Sequence, residues 1–234
     1  QLLAHRSGIG DYLDEDAPGE VNDYVLTRPV HELATTEAFL PMLDGHATKI
    51  APGRDFSYCN GGYVVVALLA ERATGRPFHD LVHEHVIDPA GLGDTEFLRM
   101  DELPGRAALG YLDATGLRTN ALHLPVRATG DGGAFTTAAD VHALWAAFFA
   151  GRIVSPSSVV EMIRPRSQSP SGRDRYGMGF WLGGTTDAVQ LEGCDAGASF
   201  RSVHRPSTRT TYTVLSNTSA GAWPILAHLA TVLT

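Results

Sequence analysis

The stretch "FSYCNGGY", Phe56 to Tyr63, lies between "APGRD" and the apolar run "VVVALLA". It sets a phenol, Tyr58, and a carboxamide, Asn60, two positions apart at the mouth of a segment patterned as a buried helix. The run from Gly62 to Ala73 is apolar all round, which suits a helix buried on every side. Gly75 followed by Pro77 stops it.

Outward from that helix the periodicity stays helical for some distance. Phe78, Leu81, Val82 and Val86 recur at helical spacing and end at Asp88-Pro89. At "TTAAD", Thr137 with Asp140 three residues on has the form of a capping box, and Val141, Leu144, Trp145, Phe148 and Phe149 make one apolar face before Gly151. A short helix follows, with Ser155 as cap and Pro156 in its first turn. After Pro165 the texture changes. "RYGMGFWL", "AVQLE", "ASFRSVH" and "TTYTVLS" are short, rich in β-branched and aromatic residues, and separated by turn formers, so they read as consecutive antiparallel strands. Ile225, Leu226, Leu229 and Val232 then predict a closing helix over one face of that sheet. The pattern is α+β, with residues 1–165 as a mainly helical lobe carrying the Tyr-x-Asn loop and residues 166–234 as strands plus the last helix. A sheet of three or four strands with one helix leaves its other side and an edge short of cover.

Composition narrows the function classes. The 234 residues are 44% hydrophobic and 19% charged, in the ordinary globular range. The net charge of -8 comes from scattered acids, and the 18 basic residues form no cluster that would grip phosphates, so no nucleic-acid partner is expected. No apolar run reaches membrane-spanning length. Cys59 and Cys194 lack zinc-site spacing and are read as small packed side chains. His79 and His83 share a helix face at the spacing of a zinc pair, but no third ligand follows, so they read as a solvated face. Neither a metal nor a cofactor is expected.

The motifs resemble those of the serine β-lactamase, penicillin-binding protein and related esterase superfamily. "LLAHRSGIGDY" is similar to its Leu-Leu-x-His-x-Ser-Gly segment, and "APGRDFSYCNGGY" to its Pro-Gly-x-x-Phe-x-Tyr-Ser-Asn-x-x-Tyr segment. In the same order, "IDPAGLGDTEF", "GDGGAFTTAADVHAL" and "YGMGFWL" resemble further segments of that family. The resemblance implies a β-lactamase/DD-peptidase-like fold with the substrate cleft between the helical lobe and the sheet. Within it Tyr58 is a proton relay, and Asn60 binds substrate or orients a lysine. A phenol with an ordinary pKa of about 10 needs a cationic partner for that role.

The chain departs from the family pattern in two places. No serine here is followed three residues later by lysine, and the single lysine, Lys49, follows His46-Ala47-Thr48. The expectation is that the nucleophile and its lysine lie on an N-terminal segment upstream of residue 1, together with the missing part of the sheet domain, and that this fragment alone is inactive. On the cleft strand, "QLEGCDAGASF" places Leu191, Glu192 and Gly193 at the family's Lys-Thr-Gly or His-x-Gly triplet. A shift by one loses the glycine. A substrate-carboxylate anchor is thereby absent, which disfavours β-lactams and D-alanyl peptides and leaves neutral esters unpenalised. The backbone N–H of Cys194 remains available as an oxyanion donor. The expected partner is a small ester, β-lactam or peptide acted on by acyl transfer. The alternative is a catalytically silent binding module of the same fold. His5 and Ser7 read as scaffold, and Lys49 as exposed to solvent.

Overall fold

The computed structural model describes residues 1–113, 115–172 and 174–233. After a short turn, α1 (Leu40–Leu43), the Tyr-x-Asn loop feeds α2 (Asn60–Thr74). Cys59 caps α2 with its Sγ, which accepts the Gly62 N–H at 3.2 Å, and Gly75 ends it in the left-handed region at φ 71°. Val64 and Leu68 enter a core with Tyr12, Leu33, Phe39 and Met42. The other side of α2 is open, contrary to the expectation of burial all round. Val66 and Leu69 line a groove of about 580 Å³ with Leu2, Leu3 and Ser7, and Leu69 is 56% exposed.

α3 (Phe78–Val82) continues through a π-helical turn, His83–Ile87, into α4 (Asp88–Ala90). Pro89 falls in the first turn of α4, where a missing N–H is tolerated, so the helix runs on to Gly91 instead of ending at Asp88-Pro89. α5 (Ala138–Phe149) and α6 (Pro156–Met162) are capped by Thr137 and Ser155 as their sequences predict. The capping box at Thr137 is only half formed. The Asp140 carboxylate turns away to accept from the Asp94 N–H and the Thr95 hydroxyl, both at 2.7 Å. Much of the remaining chain before residue 137 is irregular, with short 3-10 turns.

Among the described residues the sheet has six strands in chain order, all antiparallel. They are β1 (Ser167–Gln168), β2 (Asp174–Tyr176), β3 (Trp181–Gly183), β4 (Val189–Asp195), β5 (Ala198–Arg205) and β6 (Thr210–Ser216). The count exceeds the expected three or four because β1, β2 and β3 are too short to show a period in the sequence. One face lies under α7 (Ala222–Val232), as expected. The other face is not bare: α5 lays Val141, Trp145 and Phe148 on Phe180, Leu182 and Val189, and the Trp145 indole N–H donates to the Ser202 hydroxyl at 2.8 Å. Cover for the sheet thus comes from a helix far upstream of it.

Candidate active site

Side chains from the first sixty residues hold the Tyr-x-Asn loop in place. Asp11 is buried, and its carboxylate accepts the N–H of Asn60 at 2.5 Å and of Gly61 at 2.8 Å, at the positive end of α2. Gly61 leaves room there, since a Cβ would stand 3.2 Å from that carboxylate and 3.1 Å from the Leu43 side chain, which would have to shift. Asn60 returns the tie by donating its side-chain amide to the Leu13 carbonyl at 2.9 Å. Burial pushes the Asp11 pKa up, and the backbone donors, Gly61 first, pull it back.

Tyr58 is half-buried, with its ring stacked on His5 at 4.1 Å and nearly parallel to Trp181 of β3 at 6.2 Å. Burial, and then the Glu15 carboxylate, raise its pKa well above that of an ordinary phenol. The hydroxyl is therefore held protonated and serves as a base only beside an added cation. Lys49 is not that cation, because it is held between Asp14 and Asp16 at 2.7 Å each, largely shielded from solvent. His5 is neutral, its pKa lowered to about 4 by burial.

β4 carries the other residues singled out in the sequence, Leu191 to Cys194. Gly183 donates its N–H to the Ala188 carbonyl at 2.8 Å, so alternate residues of β4 counted from Ala188 turn their backbone groups toward β3. Pairing with β3 reaches only Trp181↔Gln190 and Leu182↔Val189. Beyond it the N–H groups of Glu192 and Cys194 face an edge that no described strand covers. The side chains divide between the faces: Leu191 packs on the core beneath α5, and the Cys194 thiol, on the side of α7, approaches the Ser219 carbonyl at 3.5 Å. Gly193 has open space around its Cα. Glu192 forms an ion pair with Arg201 across its rung, and Arg201 in turn lies 5.6 Å over Trp223. Its charge is therefore met by Arg201.

Glu15, unremarked in the sequence, has no ion pair among the described residues. It lies near Asn60, and its charge acts on both Tyr58 and Cys194. Its side chain is exposed, and partial desolvation by the groups around it raises its pKa. Its acidity marks it out only once the fold brings residues 15, 58 and 194 together. Nearby, Asp131 accepts the Tyr12 hydroxyl, and burial pushes its pKa up to about 6.

Features set apart in the sequence go elsewhere. His79 is buried, bonded to the Ala128 carbonyl at 2.8 Å, and His83 meets Glu96 at 2.6 Å, so only His83 is on a solvated face. Both cysteines are free thiols, Cys59 buried and Cys194 exposed. Among the described residues no group of three acidic, His or Cys side chains is placed to hold a metal, and no helix is long and apolar enough to cross a membrane.

Residues 1–230 match the family described as Beta-lactamase. PbpX of Bacillus subtilis (strain 168), described as a penicillin-binding protein, is 25% identical over 183 residues, which are 77% of this chain and 41% of that protein. A D-aminopeptidase of Brucella anthropi is 41% identical over 51 residues, 22% of this chain and 10% of its own length. The crystal structure of a penicillin binding protein from Bacillus halodurans superposes with a TM-score of 0.92 at 30% identity, over 99% of this chain and 72% of that one. The chain spans less than half the length of the two curated relatives named here.

Proposed function

This chain belongs to the Beta-lactamase family of serine hydrolases, and on that premise we propose that it carries the proton-relay and oxyanion side of an acyl-transfer site whose nucleophile lies outside these residues. The reading is supported by the edge of β4 that no described strand covers, on which the Cys194 N–H lies, and by the Glu15 charge, which acts on both Tyr58 and Cys194. An N–H fixed in a strand stabilises a developing oxyanion without reorganising, a role that needs no side chain. Gly193 leaves the strand open to a ligand, and Leu191 and Glu192 flank it.

In the proposed reaction a serine hydroxyl attacks the acyl carbonyl of the substrate and loses its proton through Tyr58 to a lysine supplied with that serine. The leaving alcohol or amine takes up the proton, and water then releases the acid. Neither the serine nor the lysine is found in these 234 residues as a Ser-x-x-Lys pair. The substrate preference rests on charge. Glu15 has no ion pair among the described residues and Arg201 is committed to Glu192, so the charges here disfavour a substrate carboxylate and accept a neutral ester.

The test is made on the natural protein that contains these residues and a Ser-x-x-Lys segment, with a chromogenic ester and a chromogenic cephalosporin. Turnover of the ester is expected to exceed that of the cephalosporin by at least about tenfold in kcat/KM. Faster turnover of the cephalosporin would overturn the preference. A silent binding module is favoured by one observation, the engagement of the lone Lys49 with Asp14 and Asp16. A natural gene without any Ser-x-x-Lys would decide for it.

A further inference from the structure

His5 holds a left-handed backbone conformation, φ 49° and ψ 46°, that side-chain-bearing residues adopt only at a cost. It is also 2% exposed, and its Nε2 has no hydrogen-bond partner among the described residues. Strain and a buried, unpaired polar atom at one residue call for a compensating role. The contacts of His5 identify one. Its carbonyl accepts the Ser57 N–H at 2.8 Å, its Nδ1 accepts the Cys59 N–H at 3.1 Å, and its ring stacks on Tyr58 between them. Three consecutive residues of the loop are thus held by a single side chain and its own backbone.

A plain aromatic ring would supply the stacking but not the acceptor. A short amide would supply the acceptor but not the stacking. An imidazole gives both, provided the proton sits on Nε2 and leaves Nδ1 free to accept. The imidazole as a whole sits among the Phe56, Tyr63 and Tyr176 rings, at centroid distances of 4.8 to 5.7 Å, a setting in which an N–H to π contact offers weak compensation.

We propose that His5 is the positioning residue of Tyr58, fixing the phenol for proton transfer through its Nδ1, its carbonyl and its ring face. The proposal rests on the reading of Tyr58 as the proton relay, and it assigns to His5 more than the scaffold role that its motif suggests. His5 touches no reacting atom. A displacement of about 1 Å in a group so placed lowers a rate by about a hundredfold.

Two variants separate the contributions. His5→Phe keeps the stacking and loses the acceptor. His5→Asn keeps an acceptor near the Nδ1 position and tolerates a left-handed backbone. On the 234-residue chain, nitrogen NMR is expected to show the Nε2–H tautomer. Amide exchange at Cys59 should be about tenfold faster in His5→Phe and unchanged in His5→Asn. A proton on Nδ1, or a Cys59 amide indifferent to His5→Phe, would overturn the proposal. On the natural protein with its Ser-x-x-Lys, His5→Phe is expected to lower kcat for the ester about a hundredfold with KM within about twofold, and His5→Asn to restore most of it. Equal loss in both variants, tracking their melting temperatures, would reduce His5 to scaffold. If the unaltered protein turned over no ester, the acyl-transfer reading would fall, and amide exchange alone would decide whether His5 grips the loop.

Discussion

Replacing Tyr58 by Phe in the natural protein is expected to lower kcat for ester hydrolysis by about a thousandfold while KM stays within about twofold. The variant is clean for a structural reason. Stacking on His5 and Trp181 belongs to the ring and survives, and the hydroxyl forms no hydrogen bond among the described residues. Stability should therefore change by less than about 1 kcal/mol, and any large loss of rate is chemical. The direction follows from the local electrostatics. Burial and the Glu15 carboxylate keep the phenol protonated, so a proton passes through Tyr58 only when a cation beside it offsets both. Steady-state kinetics with one ester decides the matter. A Tyr58→Phe protein with more than about a tenth of the original kcat would remove Tyr58 from the mechanism.

Trp145→Ala should destabilise the 234-residue chain by about 4 kcal/mol, measured by urea unfolding. Trp145 is 1% exposed and joins α5 to the sheet through Phe180 and His204. Its truncation leaves a cavity and removes the indole N–H from Ser202, although Ser202 keeps its contact with Thr213 at 2.7 Å. Trp145→Phe fills most of the volume and should cost about half as much. A loss under about 1 kcal/mol for Trp145→Ala would mean that α5 does not carry the cover of this face.

Local signals in the sequence were sufficient for the elements that depend on local chemistry. Thr137 and Ser155 cap the helices they precede, Gly75 ends α2, and the β-branched and aromatic stretches "ASFRSVH" and "TTYTVLS" become β5 and β6. Order and spacing of the motifs carried the family. What stayed illegible is long-range. Asp11 looks like one more acid of a polar loop until the fold brings it to Asn60 and Gly61, some fifty positions away. Asp140 matches a capping box, yet tertiary donors on Asp94 and Thr95 compete for its carboxylate and win. The ion pair of Glu192 with Arg201 is set by strand register alone, which no neighbouring residue announces. His5 reads as scaffold because neither its strained backbone nor its grip on Ser57 and Cys59 is written in neighbouring residues.

The central claim is that these 234 residues supply the relay and the oxyanion donor but not the nucleophile. Incubation of the purified chain with a fluorescent fluorophosphonate, followed by mass spectrometry of its peptides, tests this directly. The account predicts no covalent label on the chain, and a label on the serine of Ser-x-x-Lys in the natural protein that contains it. The residue to watch is Ser7, whose hydroxyl is buried without a hydrogen-bond partner among the described residues. A stoichiometric label on Ser7, or on any residue from 1 to 233, would show a nucleophile within the chain and contradict the account.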